Sequence, residues 1–159
     1  MFRIIHVDDP EHVAQVRDLI KEYSGSLGID LCFEGIEKEL AELPGEYAPP
    51  TGRLLLAVTN DHGDGCVALR KVTDQICEMR RLYVRPNLRG KGAGRGLVLA
   101  VIDEAKKIGY RKMRLDTLAS MSEAILLYRS LGFYDISPYR HIPVAGARYM
   151  EKELDVRFG

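Results

Sequence analysis

The chain has 159 residues, 46% of them hydrophobic and 29% charged, and 23 Lys plus Arg balance 23 Asp plus Glu. A chain of this length buries roughly 70% of its unfolded surface, so residues 1–159 are expected to form a single domain. Zero net charge offers no field for nucleic acid or an anionic membrane, and no apolar run approaches the roughly 18 residues of a membrane span.

Residues 2–7, Phe-Arg-Ile-Ile-His-Val, read as a first strand, which runs into Asp8-Asp9 too early for a signal peptide. A cytoplasmic protein is expected. Asp9-Pro10 supplies a helix N-cap and a proline at the first helical position. Val13, Val16, Ile20 and Tyr23 follow at helical spacing, and Ser24-Gly25-Ser26-Leu27-Gly28 breaks the helix. A second helix carries Ile36, Leu40 and Leu43 on one face and stops near Pro44-Gly45, before a loop over Glu46-Tyr47-Ala48-Pro49-Pro50.

Residues 53–58 form the next strand, and the stretch Asn60 to Gly65 has hairpin-turn chemistry. Residues 66–72 and 76–84 complete an antiparallel meander. From Gly94 the order becomes helix, strand, helix, strand. The helix has an apolar stripe of Leu97, Val101, Ala105 and Ile108 and a C-cap at Gly109. Ser120-x-x-Glu123 reads as a capping box for the helix that carries Ala124, Leu127, Tyr128 and Leu131. Residues 149–154 form the last strand. The fold class is α/β (α+β mixed), with a central mixed, mostly antiparallel sheet and helices on both faces.

Cys32, Cys66 and Cys77 are odd in number and lack C-x-x-C spacing, so neither a disulfide framework nor a zinc site is expected. His6, His12, His62 and His141 show no H-x-x-x-H pairing, and no metal is expected.

The most informative stretch is Leu82-Tyr83-Val84-Arg85-Pro86-Asn87-Leu88-Arg89-Gly90-Lys91-Gly92-Ala93-Gly94-Arg95-Gly96-Leu97. A strand ends at Pro86, a glycine-dense turn follows, and a helix starts at once. Such a turn points backbone N–H groups at a ligand, and the helix start adds unpaired N–H groups and a positive dipole end. The combination is an anion site suited to phosphate or pyrophosphate. Spacing excludes a P-loop, because no glycine lies five positions before Gly90 and Gly92 follows Gly90-Lys91. It also excludes a dinucleotide fingerprint, whose last glycine slot falls on Arg95 or Leu97.

Arg89-x-x-Gly92-x-Gly94 resembles the [Q/R]-x-x-G-x-[G/A] signature of the acyl-coenzyme A (CoA)-dependent GNAT N-acetyltransferases. The upstream Leu-Tyr-Val-x-Pro strand, the downstream strand at 113–118 and the ending Tyr128-x-x-x-Gly132-Phe133 extend the likeness. It is close over 77–133 and loose elsewhere. The resemblance implies a GNAT-like acyl-CoA N-acyltransferase fold and an enzyme that moves an acetyl group from acetyl-CoA to a primary amine by direct attack in a ternary complex. It implies that Arg89, Gly90, Lys91, Gly92, Ala93, Gly94 and Arg95 hold the pyrophosphate. A splay or bulge near Tyr83 would free the backbone of Leu82, Tyr83 and Val84 for pantetheine and for polarising the thioester carbonyl.

In the family a tyrosine at the place of Tyr128 often protonates the departing thiolate; core packing is the alternative for this residue. Glu78 is the candidate base, with a cross-strand salt bridge to a neighbouring arginine as its alternative. Strand alternation puts it on the same side as Arg80, Leu82 and Val84. Asp116 and Thr117 line the acceptor cleft or cap their strand; Tyr47 and Tyr139-Arg140-His141 lie in segments that border acceptor sites, His141 as an exposed loop residue. None of the three cysteines has an evident His partner, which argues against an acyl-enzyme. The acceptor is a small amine or a protein amine, and family members often form homodimers. Two alternatives stand beside this reading: a different acyl-CoA donor, and a non-catalytic CoA-binding sensor or scaffold.

Overall fold

The computed structural model describes residues 1–26, 35–140 and 145–154. Cys32 and His141 lie outside them. The elements are β1 (Arg3–His6), α1 (Pro10–Ser26), α2 (Ile36–Glu42), β2 (Arg53–Thr59), β3 (His62–Lys71), β4 (Ile76–Val84), α3 (Ala93–Ile108), β5 (Lys112–Leu118), α4 (Ser122–Ser130), β6 (Tyr134–Asp135) and β7 (Ala147–Glu153). The seven strands form one sheet in the order β1-β2-β3-β4-β5-β7-β6. All neighbours are antiparallel except β4 and β5.

Two apolar layers sandwich the sheet. On one face Leu97, Val98, Val101 and Ala105 of α3 pack on Leu55, Val67, Leu69 and Met113, with Tyr128 and Phe133 at the α4 end. On the other, Val16, Leu19 and Ile20 of α1 and Ile36 of α2 pack on Leu54, Leu56, Cys66, Ala68 and Tyr83. The helices therefore cover both faces, as the alternation of apolar strands with amphipathic helices requires. No helix of the described residues is long and apolar enough to cross a membrane.

Local chemistry explains most boundaries. The Asp9 carboxylate accepts from the His12 N–H at 2.8 Å, which caps α1. That helix continues to Ser26, because Ser24 and Gly25 do not interrupt it; Leu27 and Gly28 lie outside the described residues. Asn60 and Asp61 both have positive φ, 51° and 63°, as the two-residue turn joining β2 to β3 demands. Gly109, at φ 110°, ends α3 with its N–H bonded to Ala105 O. The capping box at Ser120 and Glu123 does not form. Met121 is the N-cap residue of α4 and no side chain caps it. The two-residue strand β6 is too short to leave a periodic signal.

Two irregularities in the strands matter for function. Between Cys66↔Tyr83 and Ala68↔Arg80 the ladder gives β4 one residue more than β3, and Arg81 has φ 58°. The bulge thus falls at Arg81, two residues before Tyr83. It resets the alternation: Arg81 reaches Glu39 on α2, while Leu82 and Val84 pack with the α3 layer. Glu78 and Arg80 therefore do not share a side with Leu82 and Val84, contrary to simple alternation. Second, β4 and β5 pair only from Ile76↔Lys112 to Glu78↔Arg114 and then part.

Candidate active site

Where β4 leaves β5, its backbone loses ladder partners on that edge. The Arg85 N–H donates to Asp64 O at 2.7 Å, so residue 85 turns its polar backbone toward β3. Antiparallel alternation then turns the N–H and C=O groups of Leu82 and Val84 toward the gap. The Val84 carbonyl accepts from Arg89 Nε at 2.9 Å, which folds the start of the glycine turn back on the strand.

The turn itself is built from positive-φ glycines. Gly90 and Gly92 sit at φ 77° and 84°, and a Cβ at either would meet nothing, so backbone conformation is what these positions need from glycine. A Cβ at Gly96 would come within 3.2 Å of Ile4 Cδ1, so this glycine lets α3 lie close to β1. Gly94 has neither constraint, since a Cβ there would make only ordinary contact with Val84 and Leu127, at 3.8 and 4.0 Å. The loop's glycine density therefore mixes two demands of the fold with one position left small beside the gap.

Helix α3 begins with Gly96 N–H bonded to Gly92 O, so the amides of Ala93, Gly94 and Arg95 precede its first intrahelical bond. No acidic residue occupies its first turn. An anion at this end meets N–H groups and the positive end of the dipole, with no carboxylate of that turn to repel it.

Turn, strand edge and the start of α4 enclose a cleft of about 570 Å³. Of the residues expected to hold the cofactor, Leu82, Tyr83, Val84, Arg89, Gly90, Gly92, Ala93, Gly94 and Arg95 line it; Lys91 does not. The opposite wall, Ser120 to Ala124 with Leu127, was missed by the sequence reading. Its signal was present in Ser120-x-x-Glu123, polar residues at the mouth of the cleft that mimic a capping box.

Tyr128 is buried beside Phe133, ring centroids 5.7 Å apart, and is not among the residues that line the cleft. Burial pushes its hydroxyl pKa well up, and Tyr23 and Asp116 nearby oppose ionisation further.

Glu78 is 1% exposed and stands directly across the ladder from Arg70. Its carboxylate meets Arg70 at 2.8 Å, Arg80 at 3.7 Å and Arg140 at 3.8 Å, and accepts from the Tyr139 hydroxyl at 2.6 Å. Burial alone would raise its pKa; Arg70, Tyr139, Arg80 and Arg140 together outweigh burial and hold it below the ordinary value. Arg140 also bonds Asp116 on β5, so one guanidinium spans the two parting strands. Thr117 is buried and donates to the Met121 sulfur at 3.7 Å. Tyr47 is 2% exposed and belongs to the core under α1 and α2 rather than to a cleft border.

Burial pushes the Cys66 and Cys77 thiols up to about 12, and neither is in a disulfide. Outside the cleft, ligand-type atoms of Asp8, Asp9 and His12 lie within 4.8 Å of one another, but Asp9 is already committed to capping α1 and to His12 Nδ1 at 3.0 Å.

Residues 14–133 match the model of the acetyltransferase (GNAT) family, a span that starts well before the closely matching stretch at 77–133. An uncharacterised N-acetyltransferase of Schizosaccharomyces pombe is 40% identical over 148 residues, covering 91% of this chain and 90% of the relative. The fold is that of an acetyltransferase from Streptococcus agalactiae, with a TM-score of 0.81 at 22% identity over 96% of this chain and 98% of that one. A GNAT acetyltransferase from Elizabethkingia anophelis, solved with acetyl-CoA bound, matches with a TM-score of 0.66 at 23% identity over 96% of this chain and 98% of that one. With its parted strands, its left-handed glycine turn and these relatives, the chain belongs to the GNAT family of acetyl-CoA-dependent N-acyltransferases.

Proposed function

We propose that this chain moves an acetyl group from acetyl-CoA to a primary amine by direct attack of the amine on the thioester, with both substrates bound together. The observation that carries the reading is the cleft itself, in which an anion-binding helix start is continuous with the unpaired edge of β4.

In this reading the amides of Ala93, Gly94 and Arg95, with the glycine turn, take the pyrophosphate, and the Arg95 guanidinium adds charge. The edge groups of Leu82 and Val84 orient pantetheine, and one N–H there polarises the thioester carbonyl. Negative charge grows on that oxygen as the C–N bond forms, and a fixed donor in a dry cleft stabilises it without reorganising. As the C–S bond breaks, its electron pair leaves on sulfur. A thiol with pKa about 8.5 needs only modest help to leave, and Tyr128, kept protonated by burial, is the candidate donor. The inert thiols of Cys66 and Cys77 favour direct transfer over an acyl-enzyme and fit a reducing cytoplasm.

Glu78, at the last rung before the strands part, is ionised, as a base must be. Its position against three guanidiniums favours a second reading: the partners that keep it ionised weaken its hold on a proton, so it anchors the vertex of the cleft and the amine proton leaves through solvent.

The test is calorimetric titration with acetyl-CoA, free CoA, succinyl-CoA and ATP. Acetyl-CoA binding with ATP silent supports the reading and opens an amine screen by thiol release. Tighter binding and faster turnover of succinyl-CoA would replace the donor, and no binding by any CoA species would overturn the cleft assignment.

A further inference from the structure

The start of β3 carries a second bulge. Ala57 faces Gly65 and Val58 faces Gly63, so Asp64 has no partner on β2. A bulge re-aims the side chain it carries, and here it frees Asp64 to serve β4. Space enforces this, because a Cβ at Gly63 would lie 2.6 Å from Leu56 and one at Gly65 would lie 3.2 Å from Tyr83 O. Asp64 is 5% exposed. Its Oδ1 accepts from Arg85 Nη1 at 3.2 Å and its Oδ2 from Asn87 Nδ2 at 2.9 Å, while its carbonyl takes the Arg85 N–H. His62 Nε2 lies 3.3 Å from the same Oδ1.

Arg85 and Asn87 bracket the entry to the glycine turn. Residues Pro86–Leu88 form a single 3₁₀ turn, closed by Leu88 N–H to Arg85 O and Arg89 N–H to Pro86 O. Two residues on, the Lys91 N–H bonds Leu88 O, and Gly92 is then the N-cap residue of α3. One buried carboxylate on β3 therefore holds the residue that opens this turn and the residue at its middle. From the far side Glu22 of α1 grips the same Arg85 at 3.1 Å.

We infer that Asp64 is a positioning residue for acetyl-CoA: it touches no part of the cleft, yet through Arg85 and Asn87 it fixes the turn whose amides receive the pyrophosphate. A carboxylate that merely closed the β2–β3 hairpin would have no use for Asn87, which lies beyond the end of β4. Positional error of the order of an ångström in a binding group is costly, which gives the inference a measurable size.

The inference rests on the proposed pyrophosphate site, and the experiment separates the two. Kd is measured for acetyl-CoA and for S-acetylpantetheine, which lacks the pyrophosphate, on the wild type, Asp64→Ala and Asn87→Ala. Asp64→Ala is expected to raise Kd for acetyl-CoA about tenfold or more and to leave that for acetylpantetheine within about twofold, so the ratio of the two collapses. Asn87→Ala, whose side chain is exposed and whose loss spares the fold, should move the ratio the same way by about threefold; it carries the test alone if Asp64→Ala does not fold. A large wild-type ratio that survives both substitutions overturns the role of Asp64 only. A wild-type ratio near one removes the pyrophosphate site and this inference with it.

Discussion

Glu78 and Arg70 face each other directly across the β3–β4 ladder, carboxylate to guanidinium at 2.8 Å, with the carboxylate almost sealed from solvent. Removing one partner of a buried ion pair leaves the other uncompensated. Glu78→Gln should therefore cost about 3 kcal/mol of stability at neutral pH. A carboxylate whose folded pKa is depressed contributes stability above its unfolded value of 4.5 and loses it as pH falls through the folded value. The gap between wild type and variant should thus be widest near neutrality and close below pH 4.5 in urea titrations across pH. A pH-independent gap would contradict the ionised pair.

The same variant addresses the amine proton. A base at Glu78 would produce a limb in kcat/KM that falls toward acid. If the anchor reading holds, Glu78→Gln leaves the acid limb where the wild type has it and lowers kcat by about tenfold or less. A kcat loss of about a thousandfold, with the acid limb abolished, would restore the catalytic role.

Tyr128→Phe retains the ring that packs on Phe133 and removes only the hydroxyl. As general acid, Tyr128 predicts a kcat decrease of about 10- to 100-fold with Kd for acetyl-CoA unchanged. The loss should shrink for an acyl donor with a more acidic thiol, whose thiolate needs no proton. Equal turnover of Phe and Tyr with both donors would leave the residue a packing role only.

The turn glycines separate by their reasons. Gly92→Ala forces a side chain into φ 84° without a clash, so the expected cost is about 1–2 kcal/mol together with weaker acetyl-CoA binding. Gly96→Ala gains helix propensity and presses on Ile4 at 3.2 Å; the two offset, stability stays within about 1 kcal/mol, and binding is unchanged. Calorimetry and thermal melts on the two variants measure both halves of the contrast.

Cys66 and Cys77 should resist alkylation at pH 8 in the folded protein and react on denaturation, because burial keeps both as thiols. Peptide mapping after iodoacetamide reads each site. Rapid native labelling of either would argue for an accessible thiolate and reopen covalent transfer.

Much of this was legible in the chain because it depends on short-range chemistry. Asp9-Pro10 announced α1, Gly109 closed α3, and the stretch Asn60 to Gly65 marked the hairpin, whose turn proper is Asn60-Asp61, each by backbone preferences of those residue types. Nine cleft residues were named from a strand–turn–helix motif for the same reason. What escaped depends on pairing across the sheet. The bulge, expected near Tyr83 from the family resemblance alone, falls at Arg81, where no glycine marks it; φ 58° is held there by two bonds from the guanidinium to Glu39, at 2.9 and 3.0 Å. Glu78 pairs with Arg70 across the ladder, as the salt-bridge alternative had it, and with Arg80 two residues on; its pair with Arg140, on a segment 62 residues on, is visible in no local pattern. Ser120 to Ala124 were read as a helix signal because their service to the cleft has no local signature.

The extra residue at Arg81 makes the path of β4 more consequential than its composition. If Arg81 joined the ladder as an ordinary strand residue, with none removed, everything beyond it would change the layer it serves. Leu82 and Val84 would turn to α1 and α2, and the strand's free backbone edge would change hands. Replacements at 81 lose one ion pair; a straightened strand loses the cleft. For anyone reshaping this protein toward a new acyl group, side chains along β4 are open to exchange, whereas the bulge at 81 is a fixed dimension of the tool.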